Sequence, residues 1–392
     1  MLTRRTTLLG LSAAALLGRT TLALAQAPTA QRFVVVLLRG ALDGMAAVVP
    51  YGDPNLRALR GDFAPADPGR DGGVLDLGGF YGLHPSLPGL HGLYGAGELL
   101  PVHAVAGPYR TRSHFEGQDY LESGAGHALS SGWLNRAALA LGGDGGEAAA
   151  ALAFGYDLPL LLRGPARTGN WAPPSFGQPE PDLYSRIAEL HAADPITGPA
   201  IAEGLRERGL AAETQGGPAP SLDAGDGFRV LAAAAGRFLR APDGPRIAAL
   251  EIGGWDTHVD QRRRLGVALG RLDDGLLALK DALGDVWGRT AVLVLTEFGR
   301  TARPNGTAGT DHGTGTVAFV LGGAVAGGKV AGTWPGLGSG QLLESRDLQP
   351  TTDLRSIAKG LLRDHMGLNA AALDRAFPAS RDAEPFARLL RA

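Results

Sequence analysis

The stretch "TAVLVLTEFGR" (residues 290–300) decides the fold. Its first seven residues are apolar or β-branched, with no alternation of polar positions. Such a run marks a strand covered on both faces, as in a mainly parallel sheet flanked by helices. A carboxylate, Glu297, stands directly after it. The loop beyond runs through Gly, Thr, Asn and Pro to "GTDHG" (309–313), which carries Asp311 and His312. Ligands in open α/β sheets bind beyond the carboxyl ends of the strands, so this loop stands where chemistry is expected.

Working outward, four more runs have the same character: "RFVVVLL" (32–38), "LLPVHAVA" (99–106), "RIAALEIGG" (246–254) and "TVAFVLGG" (316–323). Between them lie helical patterns over 86–96, 115–123, 133–142, 226–240, 258–284 and 353–364. In the longest, Leu265, Val267, Leu269, Leu272, Leu276, Leu279 and Leu283 recur at helical spacing. Alternating strands and helices predict an α/β sandwich. Residues 143–225 are different. Segments such as "RGPARTGNWAPPSFGQPEPD" (163–182) are rich in Gly and Pro, and the stretch is expected to form a cap or lid inserted in the core fold.

Composition narrows the function. The chain has 392 residues, is 44% hydrophobic and 19% charged, and carries a net charge of -2, which gives no reason to expect a nucleic-acid partner. It has no cysteine, which excludes disulfides, thiolate nucleophiles and cysteine metal ligands. At the N-terminus, Arg4 and Arg5 precede a short apolar stretch from Leu8 to Leu17 and small-residue cleavage sites. This is the layout of a twin-arginine signal over residues 1–27. Cleavage is read after Ala25 in preference to Ala27, because Pro28 would otherwise sit at the scissile bond. The apolar run is too short to span a bilayer, so no transmembrane segment is expected in the mature chain, residues 28–392. The expected destination is the periplasm or the medium, with the twin-arginine translocase as partner during export. That route carries folded proteins, often with a cofactor already loaded.

Four of the predicted strands deliver oxygen and nitrogen ligands from one edge, provided that they are parallel. Asp43 follows the first, Arg112, Ser113 and His114 the second, Asp256 and His258 the third, and Glu297, Asp311 and His312 the fourth. Each has a structural alternative. Asp43 before Gly44 suits a turn. Asp256 or Thr257 suits an N-cap for the long helix. Glu297 suits an ion pair with Arg300. "SHFE" (113–116) has the form of a capping box, so Ser113 suits a helix cap as well as a nucleophile. Taken together, Asp43, Asp256, His258, Glu297, Asp311 and His312 read as ligands for one or two divalent ions. Zinc, manganese or iron suits such donors, or calcium or magnesium where more oxygens contribute. Ser113 and His114 read as catalytic groups, and Arg112 could hold the oxygens of a phosphate or sulfate.

A series of ordered blocks, among them "LRGALDGMAAVVPYGDP", "RSHFEGQDYLESG", "GGWDTH", "TEFGRTARPNG" and "GTDHGTG", resembles those of domain-of-unknown-function family 1501, from about residue 32 to the C-terminus. That family resembles the alkaline phosphatase and sulfatase superfamily. The resemblance implies a three-layer sandwich, with a mostly parallel central sheet, helices on both faces and a metal site at its carboxyl edge. Asp43 resembles the carboxylate after the superfamily's first strand, Asp256 and His258 its Asp and His pair, and His312 its late histidine. Glu297 takes the place of an aspartate and Phe298 that of a histidine, a departure that removes one nitrogen ligand. Ser113 stands roughly where a nucleophile is expected. No Cys-x-Pro-x-Arg motif is present, which argues against formylglycine chemistry. The expected function is an exported metal-dependent hydrolase of a phosphate or sulfate ester. The alternative is a non-catalytic envelope protein that keeps the fold and binds metal, a partner or a glycan.

Overall fold

The computed structural model describes residues 29–142, 151–173, 194 and 227–391. The signal expected over residues 1–27 lies outside the described residues, as does most of the Gly/Pro-rich stretch.

The apolar runs form the strands that their composition predicts. The central strands are β1 (Arg32–Arg39), β2 (Leu99–Ala106), β3 (Ala151–Phe154), β4 (Thr168–Trp171), β5 (Ile247–Gly253), β6 (Thr290–Thr296), β7 (Thr316–Leu321) and β8 (Thr352–Asp353). They make one eight-stranded sheet in the order β8-β2-β7-β6-β1-β5-β3-β4. Strands β6, β1, β5, β3 and β4 are parallel, and β7 is antiparallel to both β6 and β2. Because β7 reverses twice, β2 runs the same way as β6. Strands β1, β2, β5 and β6 therefore end at one edge, the condition for their loops to meet. Strands β3 and β4 extend the sheet at one side, so this part of the 143–225 stretch belongs to the core and does not form a lid.

Both faces of the sheet are covered. Along β1, Val34, Val36 and Leu38 enter one hydrophobic cluster while Phe33, Val35 and Leu37 enter the other, none more than 1% exposed. On the first face pack the helices Pro88–Gly95, Gly227–Arg240 and Gln261–Leu283. On the second pack Trp133–Leu141, Leu354–Asp364 and Ala370–Ala376, with Trp133 stacked on Phe377 at 5.1 Å. The architecture is thus a three-layer α/β sandwich. No described helix is long and apolar enough to cross a membrane.

The longest helix departs from expectation in two places. It begins at Gln261, after Asp260 in a left-handed conformation (φ 48°), and not at 258. The N–H of Gln261 donates to the Ala308 carbonyl at 2.9 Å, so the loop after β6 caps this helix and neither Asp256 nor Thr257 does. Val267 is 46% exposed, because it lies off the leucine stripe.

His103 on β2 yields a prediction about acid stability. It is fully buried, its Nε2–H donates to the Val48 carbonyl, and its Nδ1 accepts from the Ala104 N–H. Burial pulls its pKa from 6.5 down to about 4. A histidine depressed on folding contributes stability that is complete above its unfolded pKa and is lost as the pH falls from there toward the folded value. Between pH 7 and pH 4, His103 is expected to remove about 3 kcal/mol. Urea unfolding of wild type and His103→Gln at both pH values measures this. An equal pH dependence in the two proteins would refute it.

Candidate metal centre

Gly40 follows β1 with φ 120°, and a Cβ there would meet the Asp256 nitrogen at 2.6 Å. This glycine lets the end of β1 approach the loop after β5. Its N–H donates to Glu297 Oε1 at 2.8 Å. The loop after β2 leads into the helix His114–Ser123, so His114 starts that helix. The segment from Arg300 to His312 folds back on itself, with Arg300 bridged to His312 and the Thr301 N–H donating to the Asp311 carbonyl. His312 thereby returns to the sheet edge.

Three imidazoles meet there. His312 Nε2 lies 2.9 Å from His114 Nε2 and 3.0 Å from His258 Nε2. Asp256 Oδ1 lies 3.0 Å from His258 Nε2 and 3.2 Å from His312 Nε2, and its Oδ2 is 3.5 Å from His114 Nε2. Each ring uses its other nitrogen elsewhere. His114 Nδ1 faces Glu297 Oε1 at 2.8 Å, His258 Nδ1 faces Asp311 Oδ1 at 3.1 Å, and His312 Nδ1 faces the Arg112 carbonyl at 2.9 Å. Those three acceptors hold the ring protons on Nδ1, so the Nε2 lone pairs point at one another and at a carboxylate. Electron pairs gathered in this way suit a cation. Tetrahedral zinc with bonds of about 2.0–2.1 Å holds its donors about 3.3 Å apart, close to the spacing seen here. His114, Asp256 and His312 therefore form a group that could hold a metal ion, and His258 stands against it.

The electrostatics agree with this division of labour. The Glu297 hydrogen bond raises the pKa of His114, while burial lowers that of His312. Burial would raise the Asp256 carboxyl, but Arg300, donating from Nη1 at 2.6 Å, holds it below the usual range. Burial acts on Glu297 in the same sense, and the hydrogen bonds from His114 and Thr296 more than offset it. The Asn305 amide, followed by His258, keeps Asp311 low.

The structure brings together Asp256, His258 and His312 from the expected ligand set, and adds His114, which the sequence suggested as a catalytic group. Glu297 and Asp311 stand behind imidazoles as orienting acceptors. Glu297 does not pair with Arg300, which goes to Asp256. Asp43 is elsewhere: Arg60 grips its carboxylate through two bonds of 2.7 and 2.9 Å, Gln261 donates at 2.6 Å, and Asp43 caps the short helix Gly44–Ala47. An acceptor so fully engaged has no lone pair directed at the cluster. The Arg112 guanidinium pairs with the buried Asp347 and with Glu344, so only its backbone carbonyl serves the site. Ser113 precedes the helix but makes no side-chain cap. Its N–H donates to the Tyr109 phenol at 3.1 Å, and that phenol donates to Glu116 at 2.7 Å, so the capping box does not form. Phe298 stacks on His114 at 5.0 Å and walls the cluster from the interior. Arg60, Gln261 and Thr310 escaped the sequence reading, since nothing in their local context separates them from ordinary polar residues.

Solved structures resemble the chain at a distance. The crystal structure of Ps i-CgsB is 11% identical with a TM-score of 0.42, covering 90% of this chain and 77% of the other. The C-terminal periplasmic domain of EcEptC from Escherichia coli in complex with Zn is 9% identical with a TM-score of 0.34, covering 78% and 76%. Alkaline phosphatase from the Antarctic bacterium TAB5 is 10% identical with a TM-score of 0.33, covering 74% and 91%. No curated protein matches. Residues 100–377, from β2 to the last helix and including every imidazole of the cluster, match the family described as "Protein of unknown function (DUF1501)", and the chain belongs to that family.

Proposed function

We propose that this protein is an exported hydrolase of a phosphate or sulfate ester that works with one divalent metal ion. The observation that carries the reading is the convergence of three Nε2 atoms and the Asp256 carboxylate at the open edge of the sheet. His114, His258, His312 and Asp256 would hold the ion. Three imidazoles and one carboxylate favour zinc, or a neighbouring transition metal, over calcium or magnesium. When bound, such an ion supplies Lewis acidity toward an ester oxygen.

This chain's own residues do the rest. Glu297, Asp311 and the Arg112 carbonyl fix the ring protons on Nδ1. Arg300 holds Asp256 in place, and Phe298 excludes water from the rear of His114. The side chains of Asp256 and His258 are 45% and 40% exposed, so a substrate can approach from that side. Among the described residues the Ser113 hydroxyl makes no hydrogen bond to an imidazole that could activate it, and the reading therefore assigns attack to water.

Protein purified without chelator is assayed for metal and for hydrolysis of 4-nitrophenyl phosphate, bis(4-nitrophenyl) phosphate and 4-nitrophenyl sulfate. Bound zinc with turnover of one of these esters supports the reading. Bound metal without turnover points instead to the non-catalytic envelope protein, and absence of metal removes the centre itself. Export is tested separately: Arg4→Lys with Arg5→Lys should leave precursor in the cytoplasm, because the guanidinium pair is what the translocase recognises.

Glu297→Gln tests the orienting role. The amide keeps the shape and one acceptor but removes the charge behind His114. Metal affinity should fall roughly 10–100-fold. The loss of thermal stability should be larger in metal-loaded than in chelator-treated protein. An equal loss in both would make Glu297 a purely structural residue.

A further inference from the structure

We propose that a buried polar relay positions the metal centre from behind, with Thr310 and Gln261 transmitting to Asp256 the anchoring of the Asp43–Arg60 ion pair. The inference rests on the metal reading above and concerns residues that touch neither ion nor substrate.

The relay is continuous. Arg60 holds Asp43 at 2.7 and 2.9 Å, and both side chains are 1% exposed. Gln261 Nε2 donates to Asp43 Oδ2 at 2.6 Å. Gln261 Oε1 accepts from Thr310 Oγ1 at 2.6 Å and from Thr257 Oγ1 at 2.9 Å. Thr310 Oγ1 accepts from Arg300 Nε at 3.1 Å, and the Thr310 carbonyl accepts from Arg300 Nη2. Arg300 Nη1 then reaches Asp256 Oδ1 at 2.6 Å. Arg60 also donates to the carbonyls of Thr301 and Ala302, which ties down the loop that returns Asp311 and His312.

Donor and acceptor identities leave this chain only one polarity. An ionised carboxylate accepts only, so the Gln261 amide nitrogen must face Asp43. Its oxygen must then face the two hydroxyls. The single proton of Thr310 is used on that oxygen, so its lone pair is what Arg300 Nε meets. The guanidinium is fixed in its plane, and its remaining edge presents Nη1 to Asp256. Asp256 is the half-exposed member of an otherwise buried series, and Arg300 keeps its carboxylate from rotating into solvent. Asp43 thus acts on the centre through three intervening side chains, as a positioning residue and not as a ligand.

The test uses the full chain and three variants. Thr310→Val removes the hydroxyl at nearly constant shape, Thr310→Ser keeps it, and Asp43→Asn removes the charge that sets the polarity. Zinc affinity is measured against a competing chelator, and the visible absorption of the cobalt-loaded protein reports ligand geometry. Thr310→Val should weaken zinc binding about tenfold or more and alter the cobalt spectrum. Thr310→Ser should restore both, and Asp43→Asn should shift both in the same direction as Thr310→Val. If Thr310→Val lowers thermal stability in chelator while affinity and spectrum stay at wild-type values, the residue is merely structural and the relay is overturned. Failure of Thr310→Ser to restore the spectrum overturns it as well. If wild type takes up no metal, the metal reading fails on its own. The relay is then judged on the imidazole NMR signals of His258 and His312 in the metal-free chain. Thr310→Val should shift these signals and Thr310→Ser should return them, and unchanged signals reject the relay.

Discussion

Alanine at position 312 should remove metal binding while leaving the fold standing. His312 Nε2 is the hub of the cluster, within 3.2 Å of His114, His258 and Asp256. Loss of a ligand at that point should exceed the roughly 10–100-fold cost of losing an outer partner. A folded-state ligand at 100 times its dissociation constant adds about 2.7 kcal/mol of stability, so wild type should gain that increment with zinc and His312→Ala should gain almost none. In chelator the two should melt alike, because the ring is partly exposed and its loss uncovers no charge. His91→Ala is the control: that ring bonds the Asp76 carbonyl and, among the described residues, shares no hydrogen bond with the cluster. Equal zinc stabilisation of all three proteins would show that the convergent imidazoles do not bind the metal.

Asp43→Ala should behave in the opposite way. It leaves the Arg60 guanidinium, on a side chain only 1% exposed, without its charged partner, and strands the Gln261 amide with it. Breaking a buried ion pair by removing one partner costs about 3–5 kcal/mol. The loss should appear in full in chelator, where removal of a metal ligand would cost nothing. Chemical unfolding with and without chelator measures it. A loss seen only in metal-loaded protein would return Asp43 to the ligand set that its sequence position suggested.

The contrast between these two residues shows what local sequence can and cannot carry. Asp43 and His312 both stand in Gly-rich loops after buried strands, and both looked like ligands. They differ only in what the folded chain sets against them. For His312 this is a backbone carbonyl on one nitrogen and other donors on the second. For Asp43 it is a guanidinium 17 positions along the chain and an amide 218 positions away. Glu297 and Arg300 likewise looked like a natural pair, three residues apart. In the fold, His114 takes the one and Asp256 the other. His114 read as a catalytic group and stands among the convergent imidazoles, because the helix that it begins lies against Glu297 and Phe298, just beyond β6, with the imidazole over Phe298.

By itself the sequence determined five of the eight central strands, the two-sided burial of the sheet, most of the helices and the loops at the sheet edge among which the site is built. Those features follow from apolar runs and from chain succession, both local properties. Only the tertiary structure decided that β7 runs antiparallel, that β3 and β4 join the core sheet, and which acids and imidazoles face one another. Hydrogen-bond partners are chosen by distance in space among groups far apart in sequence. A carboxylate becomes a ligand, an orienting acceptor or half of an ion pair according to which donor reaches it first.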